Sequence, residues 1–166
     1  MSAGFENISS IKYDDPVSKR TWLIFTTLEF DFHVKTPLFQ YRRENGDVIW
    51  LCDRNGKTDF ASTPPPMWGV PCFAPWRFRY SATVHDQGYL HHWLNINGSK
   101  VFVTREYMDE LLEEMIEHEP EPGNKLEAWL YYHGVKLGGR LCWGKGDDPL
   151  PPLGRLDVTK LPVALA

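Results

Sequence analysis

The period of the apolar positions changes midway along this chain. From Thr21 to Phe32 the residues are largely β-branched or aromatic, and Leu28, Phe30 and Phe32 alternate with Glu29 and Asp31. That period of two predicts a half-buried strand, broken near Thr26-Thr27. Tyr41 to Arg43 resumes the sheet, and Glu44-Asn45-Gly46-Asp47 carries the Asn-Gly signal of a tight hairpin. Val48-Ile49-Trp50-Leu51-Cys52 is the returning strand, followed by a second Asn-Gly at Asn55-Gly56. Residues 1–20 are polar and broken by Asp14-Asp15-Pro16, which reads as a loosely held arm or a short edge strand.

Downstream the pattern is helical. A first helix is predicted from Tyr80 to Trp93, with Asn95-Ile96-Asn97-Gly98 as its stop signal. A second starts at Thr104, a good N-cap, and places Tyr107, Met108, Leu111, Leu112, Met115 and Ile116 on one stripe before ending at Glu119-Pro120-Glu121-Pro122-Gly123. A third opens on Asn124 with Glu127 in a capping-box arrangement, carries the stripe Leu126, Trp129, Leu130, His133 and Leu137, and stops at Gly138-Gly139. Five prolines between Pro64 and Pro75, with Trp68, Phe73 and Trp76, predict an ordered loop pinned by aromatics, too apolar for a flexible linker. After Trp143 the chain is rich in Gly, Pro and Asp and reads as an extended surface tail. The expected architecture is α+β: a small N-terminal antiparallel sheet packed against three C-terminal helices, in one domain with its core over residues 20–140 and its tail over 144–166.

Composition narrows the functional classes. With 166 residues the chain suits one sizeable core, and seven Trp point to a core of large flat side chains. A net charge of −4 and a pI near 5.8 leave no footprint for nucleic acid. Three scattered cysteines, Cys52, Cys72 and Cys142, fit a reducing compartment better than a disulfide framework, and their number excludes four-cysteine zinc. The start lacks the basic and apolar regions of a signal peptide, and no stretch reaches the ~20 apolar residues of a membrane span. A soluble protein made in the cytoplasm is expected.

Two polar stretches carry candidate chemistry. Ala82-Thr83-Val84-His85-Asp86-Gln87-Gly88-Tyr89 sets an imidazole beside a carboxylate, with a phenol one turn on; His85 and Tyr89 share a helix face. Adjacent helical residues point about 100° apart, so His85 and Asp86 suit separate tasks: the imidazole a general base, the carboxylate an oxygen ligand for a hard cation. Asp109, at the flank of the second helix's apolar stripe, is placed to orient His85, and the Tyr89 hydroxyl to tie the two helices. The competing view is a buried structural His85 with Asp86 at the surface. Upstream, Thr58-Asp59-Phe60-Ala61-Ser62-Thr63-Pro64 offers Asp59 as a second cation ligand, with Thr58 and Ser62 supporting the loop; an Asx-turn accounts for Asp59 as well. No nucleophile elbow surrounds Ser62, and no zinc, P-loop or dinucleotide motif is present. His91, His92 and His118 near helix ends read as solvated, His133 as a core or interface residue, and the run Glu113, Glu114, Glu117, Glu119, Glu121 as a solvated face.

The two stretches in this order, with a Pro/Trp loop between and Asp109 after Thr104-Arg105, resemble the bacteriophage domain-of-unknown-function 1353 family, over about residues 20–140. That family typically reads T-D-x-A-S-x-P and then A-x-x-H-D-x-x-Y; Trp129 and Val135 in the closing helix fit it as well. Pro65 stands where a basic residue is common, and the long tail departs from the pattern. The resemblance implies a tailed-phage protein, made in the host cytoplasm and carried in the virion or its tail, with other phage structural proteins or further copies of itself as partners. A looser likeness links the His-Asp helix to phospholipase A-two. It implies that His85 activates water, Asp86 holds calcium and Asp109 orients His85 while bonded by Tyr89; the Gly-rich calcium loop is missing, and Asp59 would substitute. Two expectations result: a metal-assisted hydrolase acting on an ester or envelope component, or a non-catalytic tail or assembly protein in which the cluster is structural.

Overall fold

The computed structural model describes residues 2–22, 25–60, 77–138 and Trp143, with side chains given outside 15–28 and 138. The Pro-rich loop, Ser62, and the tail from 144 onward lie outside the described residues. Among the described residues, two antiparallel sheets and three helices make the α+β fold.

The predicted N-terminal arm is a long strand. β2 (Ile11–Trp22) pairs antiparallel with β3 (Phe25–Val34) from Ile11↔Val34 to Trp22↔Phe25, and Thr26-Thr27 is continuous strand. Pro16, taken as a breaker, sits between two register shifts of that ladder, an irregularity that tolerates its missing donor. β6 (Asn55–Thr58) completes this sheet in the order β2-β3-β6. Its Asn55-Gly56 is not a turn: Gly56 pairs with Phe32, and a Cβ there would stand 2.8 Å from the Phe32 ring.

The second sheet runs β1-β4-β5-β7-β8, comprising β1 (Gly4–Glu6), β4 (Gln40–Arg42), β5 (Val48–Trp50), β7 (Trp93–Ile96) and β8 (Ser99–Phe102). It is therefore not confined to the N-terminal half. The expected hairpin at Asn45-Gly46 forms, with Gly46 at φ 91° and its N–H donating to Arg43 O at 3.0 Å. The segment taken as a helix stop is a second hairpin. Asn97 (φ 52°) and Gly98 (φ 82°) are both left-handed, as the turn matching strand twist requires.

Helix α1 (Arg79–His91) ends two residues before the predicted boundary, with His92 left-handed at φ 59° and its N–H on Gly88 O. α2 (Arg105–Ile116) starts as expected: the Thr104 hydroxyl accepts from Tyr107 N–H. α3 (Lys125–Gly138) carries the predicted capping box, Asn124 Oδ1 accepting from Leu126 and Glu127 N–H while Glu127 accepts from Asn124 N–H. Its predicted apolar stripe faces outward instead. Leu126, Trp129 and Leu137 are 64%, 48% and 85% exposed, while Ala128 and Tyr131 are buried against Phe78, Leu112 and Ile116. The small Ala128 lets the helix approach α2, which a face of bulky residues would not. The main core lies between the sheets and α1–α2, around Phe32, Phe39, Tyr41, Ile49, Val84, Leu94, Met108 and Leu111. No helix among the described residues is long and apolar enough to cross a membrane.

Candidate functional site

The site forms where α1 crosses α2. At Gly88 a Cβ would stand 2.4 Å from the Met108 sulfur, so a larger residue there would have to displace the Met108 side chain. One turn of α1 brings His85 and Tyr89 onto Asp109 of α2. His85 Nε2 lies 3.4 Å from Asp109 Oδ1, and Tyr89 Oη donates a short hydrogen bond to the same oxygen. The Tyr89 and His85 rings pack with centroids 4.2 Å apart. Asp109 Oδ2 accepts from Arg105 Nη1 at 2.9 Å, one helical turn away on α2. His85 and Asp109 are both buried, so this carboxylate sits out of water with a cation and a phenol as compensation.

The second polar stretch is joined to the first. Thr58 Oγ1 donates to Asp86 Oδ2 at 2.5 Å, and Asp59 N–H donates to the same oxygen at 3.1 Å. Thr58 Oγ1 in turn accepts from Phe60 N–H, with Phe60 left-handed at φ 54°. Asp86 thus clamps the end of β6 to α1. Its other oxygen stands 3.7 Å from His85 Nδ1, beyond hydrogen-bond range. His85 Nδ1 is buried and without a hydrogen-bond partner.

Electrostatics follow from this packing. Burial opposes the imidazolium of His85, but Asp109 and Asp86 outweigh it and its pKa stands above the ordinary imidazole value. Burial, then the Asp109 carboxylate, pushes the Tyr89 hydroxyl upward, so it remains a donor.

The structure brings together five of the residues singled out from sequence, His85, Tyr89, Asp109, Asp86 and Thr58, with Asp59 adjoining through its backbone. Calcium requires roughly six to eight oxygen donors. Asp86 already commits one oxygen to Thr58 and Asp59 N–H, and no group of three His, Cys, Asp or Glu suited to a metal occurs among the described residues.

Sequence reading missed Arg105, although its i, i+4 spacing to Asp109 was visible. It also misplaced Glu119 and His92, both taken as solvated. Glu119 is 5% exposed and accepts from Ser81 N–H and Ser81 Oγ, each at 2.7 Å. His92 is 2% exposed, with Nε2 donating to Trp143 O at 2.7 Å and its ring 4.4 Å from the Trp143 indole, which also meets Tyr89 edge-on. His133 bonds locally, to Trp129 O at 2.9 Å.

Compared with protein-family models, with curated proteins and with solved structures, the chain matches none.

Proposed function

We propose that this chain is a hydrolase in which His85 is the general base and Asp109 the group that orients it, acting on an ester such as occurs in a cell envelope. The observation that carries this reading is the asymmetry of His85: Nε2 is directed at a carboxylate fixed by Tyr89 and Arg105, while Nδ1 makes no hydrogen bond and faces Asp86 Oδ1 at 3.7 Å. Nδ1 is buried, so this mechanism requires a water to be admitted to it; that water gives Nδ1 a proton as its oxygen bonds to the ester carbonyl carbon. On collapse the carbon–oxygen bond to the leaving alcohol breaks and the imidazolium returns the proton to that oxygen. The raised pKa of His85 sets the pH dependence: turnover rises with pH as the imidazolium loses its proton. The setting we propose is a tailed-phage particle, as the motif order suggested.

His85→Ala is expected to abolish hydrolysis of short-chain aryl esters and phospholipid vesicles while leaving the melting temperature within a few degrees. Equal turnover by the variant and the parent chain would end the proposal.

One observation favours a second reading, a non-catalytic assembly protein. The bonds of Asp86 to Thr58 and Asp59 N–H are those of a structural clamp. There His85→Ala would instead cost about 1–3 kcal/mol of stability, and the protein would occur at fixed copy number in purified virions.

A further inference from the structure

Among the described residues, helix α3 is packed on one side. Ala128, Tyr131 and Val135 turn inward against Phe78, Leu112 and Ile116. About 180° around the helix, at ~100° per residue, Leu126, Trp129, His133 and Leu137 form a second stripe. Leu126, Trp129 and Leu137 on it stand open to solvent. At Gly134, on the same side, a Cβ would meet nothing within 4 Å. The His133 ring packs on the Trp129 indole with centroids 4.1 Å apart, and its Nδ1 is bonded to Trp129 O at 2.9 Å. Single exposed leucines are ordinary, whereas an apolar stripe with a tryptophan in it marks a surface that something covers.

The free charges along this stripe are of one sign. Lys125, Tyr132 and Lys136 follow one of its rims; Lys136 Nζ donates to Tyr132 Oη at 3.1 Å and stands 5.1 Å from the centre of its ring. Glu127, the one acid of α3, is turned to Arg77 at 3.3 Å. Nearby, Glu106 and Glu121 stand 3.1 Å from Arg105 and 4.0 Å from Arg77. Neither lysine has a carboxylate partner among the described residues, so the stripe presents uncompensated cations on a chain of net charge −4. A second copy is a poor occupant. Antiparallel pairing of two such stripes sets lysine rim against lysine rim, and the 14 residues span only about 21 Å. A strip that long and about 10 Å wide offers on the order of 200 Å², against ~800 Å² per partner in a stable protein interface. A helix with leucine and tryptophan on one side and lysines along its rim suits the headgroup layer of a bilayer instead. There the apolar side chains sink below the headgroups and the ammonium groups reach phosphates. We propose that α3 docks this protein on an anionic phospholipid bilayer, lying flat, with Leu126, Trp129 and Leu137 in the lipid and Lys125 and Lys136 on its phosphates. No residue of the His85 cluster takes part.

The test is co-sedimentation of the full chain with vesicles of phosphatidylcholine alone and of phosphatidylcholine with about one-third phosphatidylglycerol. Saturable binding to the anionic vesicles is expected, about tenfold or more tighter than to the neutral ones. Trp129→Ser and Leu137→Ser, at exposed positions where folding is not at issue, are each expected to weaken it about fivefold or more. Lys136→Gln is expected to lose about fivefold on the anionic vesicles and nothing on the neutral ones. Sedimentation reads binding without turnover, so its outcome is separate from that of the ester-hydrolysis experiment. Absence of the protein from both vesicle pellets overturns the proposal, as does equal binding to the two kinds of vesicle or binding undiminished by Trp129→Ser and Leu137→Ser. So does a dimer in sedimentation equilibrium that Trp129→Ser converts to monomer, which gives the face to a second copy.

Discussion

Two buried carboxylates fasten α1, one near each end, and they are stabilised in different ways. Asp109 meets a guanidinium, a phenol and an imidazole near the C-terminal half of the helix. Glu119 meets the backbone N–H and hydroxyl of Ser81 in the first turn, with Phe78 giving no side-chain cap, and it also draws on the Tyr80 backbone N–H and the Arg79 charge. Neutral donors and the positive end of a helix do not match an adjacent cation. Burial accordingly pushes Glu119 up to about 7, the Ser81 hydrogen bonds notwithstanding.

The comparison breaks most sharply at Asp109. Asp109→Ala leaves Arg105, Tyr89 and His85 without their common partner, and urea unfolding is expected to show a loss of about 3–5 kcal/mol. The next effect concerns pH. A carboxyl whose folded pKa is raised binds more protons in the folded than in the unfolded state, so its contribution is present at low pH and lost as pH rises. For Glu119 the window runs from 4.5 to about 7, and the loss across it is about 3 kcal/mol. Urea melts across that range are expected to show this decline in the parent chain and not in Glu119→Gln; a decline of equal size in the variant would remove Glu119 as its source. His85, raised above 6.5, acts in the same direction at higher pH, its contribution being lost as pH climbs through its folded pKa. Smaller again is Ser81→Ala, which deletes the hydroxyl donor to Glu119 and is expected to cost about 1 kcal/mol, read as a shift in the urea midpoint. Least of all, Leu137→Ser at an 85% exposed position is expected to stay within ~0.5 kcal/mol.

That last substitution also marks where periodicity ceased to be informative. Both α2 and α3 were visible from their caps and repeats, and the α2 stripe is buried as expected. On α3 the bulkiest residues were taken as the inner face, whereas Ala128 and Tyr131 occupy it, because close approach to α2 selects a small residue there. Asn97-Gly98 was read as punctuation because a helix was already expected nearby; the flanking Trp93, Leu94 and Ile96, then Val101 and Phe102, are strand residues around a hairpin turn. At the site, His85 and Tyr89 were legible because helical spacing aligns them on α1, and Asp109 because it flanks the apolar stripe of α2. Glu119 was not, since its partner Ser81 lies 38 positions away and no local pattern encodes such a contact.

The same separation bears on the order in which the molecule forms. α1 has 13 residues, among them Thr83, Val84, Asp86 and Gly88, all weak helix formers. A helix this short is marginal in water, and its first-turn acceptor arrives only with Glu119. The helix that bears His85 therefore gains its full stability only after α2 has been synthesised and docked. A nascent chain ending ahead of Glu119 would hold His85 and Asp109 without the anchor that steadies α1.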